Sequence, residues 1–93
     1  MQKKYPYPLT VVMDRYSGIY SGGYFTAWNK YSDEVPEEIH SDDCATATFW
    51  EKYHKESEAA KGANDLVGFG ETAGAAIEDL IRKQKRNGVF VGV

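Results

Sequence analysis

Asp65-Leu66-Val67-Gly68-Phe69-Gly70-Glu71-Thr72-Ala73-Gly74-Ala75-Ala76-Ile77-Glu78-Asp79-Leu80-Ile81 changes its hydrophobic period half-way along. The first part is short, apolar and bounded by glycine, with Val67 and Phe69 on one face, as a strand over 65–70 requires. In the second part Ala73, Ala76, Ile77, Leu80 and Ile81 form a stripe of helical period opposed by Glu78, Asp79, Arg82 and Lys83. Thr72 is placed to cap the helix N-terminus, and Asn87-Gly88 to end it. Arg82, Lys83, Lys85 and Arg86 in the last turns match the negative end of the helix dipole.

Upstream, Leu9, Val11 and Met13 alternate with Thr10, Val12 and Asp14, which predicts a half-buried strand over 8–16. Ser17-Gly18 and Gly22-Gly23 supply the flexible points of a hairpin, since glycine takes positive φ without steric cost. Over 24–29, Tyr24, Thr26 and Trp28 alternate with Phe25 and Ala27, giving a second strand whose aromatics can pair across to the first. Residues 89–93, Val-Phe-Val-Gly-Val, suit a final edge strand that closes the sheet or pairs with another chain. The expected fold class is α+β, a small antiparallel sheet of three or four strands against one or two helices, in one domain over 1–93.

Between these units, residues 33–43 hold Asp33, Glu34, Glu37, Glu38, Asp42 and Asp43, six of the chain's 14 acidic residues, with no Lys or Arg among them. Pro36 disfavours a continuous helix, so a loop with at most one helical turn is expected. Ser41, Asp42 and Asp43 can each cap a helix over about 43–60, on which Ala45, Phe49 and Tyr53 recur at helical spacing and Glu51 pairs with Lys55. Gly62 sits where a left-handed C-terminal cap belongs. Ala45-Thr46-Ala47-Thr48-Phe49-Trp50 also alternates cleanly enough for a strand, and sequence leaves both readings of 43–50 open.

Composition narrows the function classes. A chain of 93 residues with 42% hydrophobic and 27% charged content can bury one core. One cysteine, Cys44, excludes an internal disulfide framework and suits a reducing cytosol. The basic start Met1-Gln2-Lys3-Lys4 is followed by Tyr5-Pro6-Tyr7-Pro8 instead of an apolar run, which disfavours a secretory signal. No stretch approaches the ~20 apolar residues of a membrane span. A net charge of −3 disfavours direct nucleic-acid binding.

No catalytic constellation is legible. His40, Asp42, Asp43, Cys44 and His54 lie close in sequence, but no second cysteine or histidine pair completes a tetrahedral metal set. Cys44 with either histidine lacks the orienting third group of a nucleophilic site. Gly68, Gly70 and Gly74 precede a helix, without the lysine of a phosphate loop, and a strand-to-helix turn accounts for them. The basic helix end matches the dipole. Tyr16, Tyr20, Tyr24, Trp28 and Tyr31 outnumber what one face of a small sheet needs, so they serve as core and interface both. The chain reads as non-catalytic, without metal or cofactor.

Val67-Gly68-Phe69-Gly70-Glu71-Thr72-Ala73-Gly74-Ala75-Ala76-Ile77-Glu78-Asp79-Leu80 resembles the strand-turn-helix of the HicB-like antitoxin domains, whose fold is of the partial double-stranded-RNA-binding type. Gly22-Gly23-Tyr24-Phe25-Thr26-Ala27-Trp28 is similar to that family's second strand. The resemblance implies a small antiparallel sheet backed by a helix, and neutralisation of a small ribonuclease toxin. The family's appended DNA-binding unit is not seen, and the acidic segment stands where the family pattern differs. An acidic domain of this size also resembles, in general character, the small phage proteins that block bacterial defence complexes.

The expectation drawn from all this is a protein-binding inhibitor of the bacterial or phage-infected cytoplasm that occludes a basic surface, belonging to a nucleic-acid-handling protein. Asp33, Glu34, Glu37, Glu38, Asp42 and Asp43 would supply the field, and Tyr20, Tyr24 and Trp28 the anchors. The first four acids are expected to lack local partners. Homodimer formation is compatible with the sequence.

Overall fold

Alternation along three short strands builds the molecule, because it divides the side chains between two faces of one sheet. The computed structural model describes residues 7–14, 18–19, 21–40, 45–62 and 65–87. Strands β1 (Thr10–Met13), β2 (Phe25–Trp28) and β3 (Val67–Gly70) form an antiparallel sheet in the order β1-β2-β3. Thr10 lies opposite Trp28 and Met13 opposite Phe25, while Trp28 lies opposite Val67 and Phe25 opposite Gly70. The chain forms an α+β fold, as its pattern predicts. The two N-terminal strands are shorter than expected, at four residues each.

On one face Ala27, Leu66, Ala76 and Leu80 make a buried cluster with Leu9, Val11, Phe25 and Ile77 around it. Helix α2 (Ala73–Arg86) covers this face. Gly68 and Gly70 explain how closely it lies: a Cβ on Gly68 would stand 2.0 Å from the Ala76 carbonyl oxygen, and one on Gly70 2.5 Å from the Ala76 nitrogen. These glycines serve helix-on-sheet contact beyond the turn itself. Thr72 Oγ1 accepts from the Ala75 N–H at 3.1 Å, the expected cap. At the far end Gln84 donates to Asn29 Oδ1 at 3.0 Å and Asn29 donates to the Pro8 carbonyl at 2.8 Å, tying α2 to both N-terminal strands.

The other face carries Trp28, Val35, Ile39, Trp50, Tyr53 and Val67, with Val12, Phe49 and Phe69 against them. Helix α1 (Ala45–Lys55) covers part of it, so the strand alternative for 45–50 is excluded. Its buried residues are Thr46, Trp50 and Tyr53, one step round from the Ala45, Phe49, Tyr53 line; Ala45 and Phe49 are half-buried. Trp50 meets Trp28 at 5.8 Å and Phe69 at 5.4 Å between ring centres. A tryptophan fills the gap between helix and sheet where alanine could not.

α1 stops at Lys55, short of the expected 60, and Gly62 is not among the positive-φ glycines. Lys61 does the capping instead. Its ammonium donates to the Tyr53 carbonyl at 2.9 Å and the Glu56 carbonyl at 3.3 Å, and sits 3.6 Å from the centre of the Tyr53 ring. A cation at the negative helix end satisfies orphan carbonyls and opposes the dipole at once. Ser57 then starts a separate short 3-10 helix, Glu58–Ala60, by accepting from the Ala59 N–H. Glu58 is bound in turn by Arg86 at 2.9 Å, joining this connection to the end of α2. Expectations for 89–93, for the caps Ser41, Asp42 and Asp43, and for Tyr16 and Cys44 fall outside the described residues.

Candidate protein-binding surface

Val35 and Ile39, four apart in the acidic segment, are 5% and 7% exposed and dock into the aromatic cluster. That spacing folds the intervening chain into two 3-10 helices, Ser32–Glu34 and Glu37–His40, more structure than the single turn expected. The Ile39 N–H closes on the Pro36 carbonyl at 3.0 Å, and Thr46 Oγ1 of α1 donates to the Glu38 carbonyl. With the apolar pair pinned inward, Asp33, Glu34, Glu37 and Glu38 are all exposed. The structure therefore gathers these four on one stiffened ridge.

Glu34 departs from the expectation of no local partner. Its Oε1 accepts from the Tyr31 N–H at 2.9 Å, while the Glu34 N–H returns to the Tyr31 carbonyl at 2.9 Å. One carboxylate oxygen is thus spent on fixing the first turn. Among the described residues, no hydrogen bond or ion pair holds the carboxylates of Asp33, Glu37 and Glu38. Glu51, Glu58 and Asp79 differ, each holding a lysine or arginine.

The expected anchors separate. Tyr24 is 46% exposed and keeps a surface position. Trp28 is only 1% exposed, and its indole N–H donates to Thr26 Oγ1 at 2.8 Å, so it is a core residue and cannot meet a partner directly. The alternation that puts Tyr24 and Trp28 on one face is correct, but α1 covers only the Trp28 end of that face. Tyr20, Asp42 and Asp43 lie outside the described residues.

Further exposed apolar residues complete the surface: Tyr31, one of the aromatics expected to serve core and interface, and three that the sequence pattern did not place there. Met13, Ile19, Tyr7 and Tyr31 are 62%, 77%, 67% and 52% exposed. Tyr7 and Tyr31 meet edge-to-face at 6.2 Å. Tyr31 leads directly into the acidic ridge, and Lys30 before it is tied to β1 by the Thr10 hydroxyl, which donates to the Lys30 carbonyl at 2.8 Å. An isolated apolar residue beside a turn glycine, as Ile19 is, was the available signal for Ile19. Nothing in the pattern singled out Tyr7.

A groove of about 480 Å³ runs beneath the ridge between Pro36, Phe49, Tyr53 and Trp28, with Lys30, Glu38, Lys52 and Lys61 at its margin. Both charge signs alternate around it, so it lacks the convergent chemistry of an anion or cation site. Burial pulls the Lys61 amine below its ordinary value, with Glu56 and Glu58 opposing that shift. His54, set aside from sequence as a metal or catalytic residue, places its Nε2 2.8 Å from the Ser21 carbonyl, as a donor fixing the hairpin. Among the described residues no group of three His, Cys, Asp or Glu converges closely enough to hold a metal, and no helix is long and apolar enough to cross a membrane.

No family model, curated protein or solved structure matches the chain.

Proposed function

We propose that the protein is a non-catalytic inhibitor that binds a partner protein through the acidic ridge and so covers a basic, nucleic-acid-handling surface. The observation that carries this reading is the ridge itself. Two short turns, pinned by Val35 and Ile39, hold Asp33, Glu37 and Glu38 in solvent, and among the described residues no cation pairs with them. Unpaired like charges held together cost stability through mutual repulsion, a cost that a cationic partner would relieve while gaining a faster approach. Interception of a bacterial defence complex by a phage product is the setting that suits an acidic decoy of this size.

The test is capture from bacterial lysate with wild type beside the quadruple variant D33K/E34K/E37K/E38K. A partner retained by wild type at low salt, weakened with rising salt and lost in the variant is expected. Equal capture by both proteins, or recovery of nucleic acid alone, would overturn the proposal.

A second reading is supported by the strand, Thr72 cap and helix of 67–86, the unit on which the resemblance to HicB-like antitoxins rests. Under it the chain neutralises a small ribonuclease toxin. Co-expression with a toxin gene from the same locus would then restore growth, and unrelieved toxicity would remove this reading.

A further inference from the structure

In an antiparallel sheet the main-chain groups of successive residues point alternately to one neighbour and the other, so each edge strand turns half of its residues outward. At β3 the outward residues are Val67 and Phe69, and side chains close three of their four main-chain groups. The Val67 N–H donates to the Tyr53 hydroxyl at 2.9 Å, its carbonyl accepts from the Lys83 ammonium at 2.8 Å, and the Phe69 N–H donates to Asp79 Oδ2 at 2.9 Å. Lys83 also pairs with Asp79 at 3.1 Å and lies 4.2 Å from the centre of the Phe69 ring. Residues from both helical layers therefore seal this edge against strand addition.

The opposite edge is different. With Val67 and Phe69 outward, Gly68 and Gly70 face Ala27 and Phe25, which leaves Thr26 and Trp28 facing β1 across Val12 and Thr10. The Asp14 N–H donating to the Tyr24 carbonyl at 2.6 Å continues that alternation. Val11 and Met13 consequently point their N–H and C=O groups outward, and among the described residues neither finds a partner. The exposed side chains of Met13, Ile19 and Tyr24 stand at one end of this edge; at the other, Tyr7 and Tyr31 lead to Asp33 and Glu34. Val12 of β1 packs against the cluster that also holds Val35 and Ile39, so this strand and the acidic ridge share one side of the sheet.

We infer that β1 is the docking edge, and that its occupant is an extended, Lys- or Arg-bearing segment of the partner protein that adds to the sheet as a fourth strand. The inference rests on the acidic-ridge reading above. Main-chain bonds to Val11 and Met13 give affinity, and alternate cationic side chains fall on the face where Asp33, Glu34, Glu37 and Glu38 stand. Charge complementarity selects this occupant over a second copy, since two chains of net charge −3 repel and two outward residues per copy give a small contact.

Residue-resolved amide exchange on the full chain, with the peptide acetyl-Lys-Val-Lys-Val-Lys-Val-Lys-amide as probe, tests the inference. In the free protein the Val11 and Met13 amides should exchange fast while Val12 is protected. Saturating peptide should slow both by about tenfold or more. Backbone N-methylation of the probe on one edge, which keeps its charge, should abolish the protection. Binding of both probes without protection of Val11 and Met13 would overturn edge docking and leave the acidic ridge standing. Protection in the free chain, whether independent of protein concentration (the edge covered by the chain itself) or rising with it (a second copy), would also overturn it. If the probe protects the variant D33K/E34K/E37K/E38K as well as wild type, the acidic reading falls and the edge remains.

Discussion

At residue scale, glycines of one type have opposite consequences. Gly68 faces α2 with no room for a methyl group, so Gly68→Ala must push the helix off the sheet; a loss of about 3 kcal/mol in denaturant unfolding is expected. Gly74, in the first turn of α2, has nothing within 4 Å of a built Cβ. Gly74→Ala should therefore stabilise, by about 0.5 kcal/mol. If the two substitutions have similar effects, α2 does not lie against β3 as described. Tyr53 joins two layers through one hydroxyl, and burial, with smaller contributions from nearby carboxylates, pushes its phenol up to about 12 against the bond from Val67. A raised folded value means the neutral form is favoured by folding. This contribution is complete below the ordinary phenol value of about 10 and is lost as pH rises from there to about 12. Tyr53→Phe should flatten that part of the alkaline unfolding profile relative to wild type. It should also cost about 1–2 kcal/mol at neutral pH by orphaning the Val67 N–H.

At element scale, the clasp on β3 is the feature most open to test. Burial alone would raise the Asp79 carboxyl, yet the Phe69 N–H and the Lys83 and Arg82 cations outweigh it and hold the group below its usual value. A depressed folded value contributes stability above the unfolded carboxyl range near 3.8, lost as pH falls below it. Asp79→Asn should therefore give a shallower acid limb, measured by fluorescence against pH. Removing both clasp side chains, D79A/K83A, unseals the edge and should produce concentration-dependent association in sedimentation velocity. A variant that stays monomeric would show that the edge is protected by something else.

The same elements show what sequence could and could not convey. Helix α2 was legible through Thr72, its apolar stripe and Asn87, because local period and caps suffice when one face meets one sheet. Strand β3 was legible for the same reason. Helix α1 was legible from its spacing and its Glu51–Lys55 pair but not settled, since Thr46 and Ala47 fit either period and the decision came from Trp50 entering the aromatic cluster. The end of α1 was misread because a cap supplied by Lys61 from beyond the helix leaves no local signature. In the acidic ridge the charges stood out while the inward pair Val35 and Ile39 did not, since two apolar residues around a proline do not announce a period. Trp28 was read as an anchor because alternation assigns a face without saying which part of that face a helix will cover.

At the scale of the whole molecule, the two sides of the sheet's order have different fates. The β3 edge is bound into both helical layers, and the β1 edge stands beside the acidic ridge with exposed Met13, Tyr24 and Tyr31 around it. Among the described residues, charge, open main chain and exposed aromatic area thus converge on one side of a small scaffold, which supports the proposed protein-binding surface. The most direct measurement is zero-length carbodiimide cross-linking of the complex with the captured partner, followed by mass spectrometry. Asp33, Glu37 and Glu38 should join partner lysines, while the exposed Glu51 and Glu71 stay unlinked. Cross-links made chiefly through Glu51 or Glu71, with none from the ridge, would contradict the account.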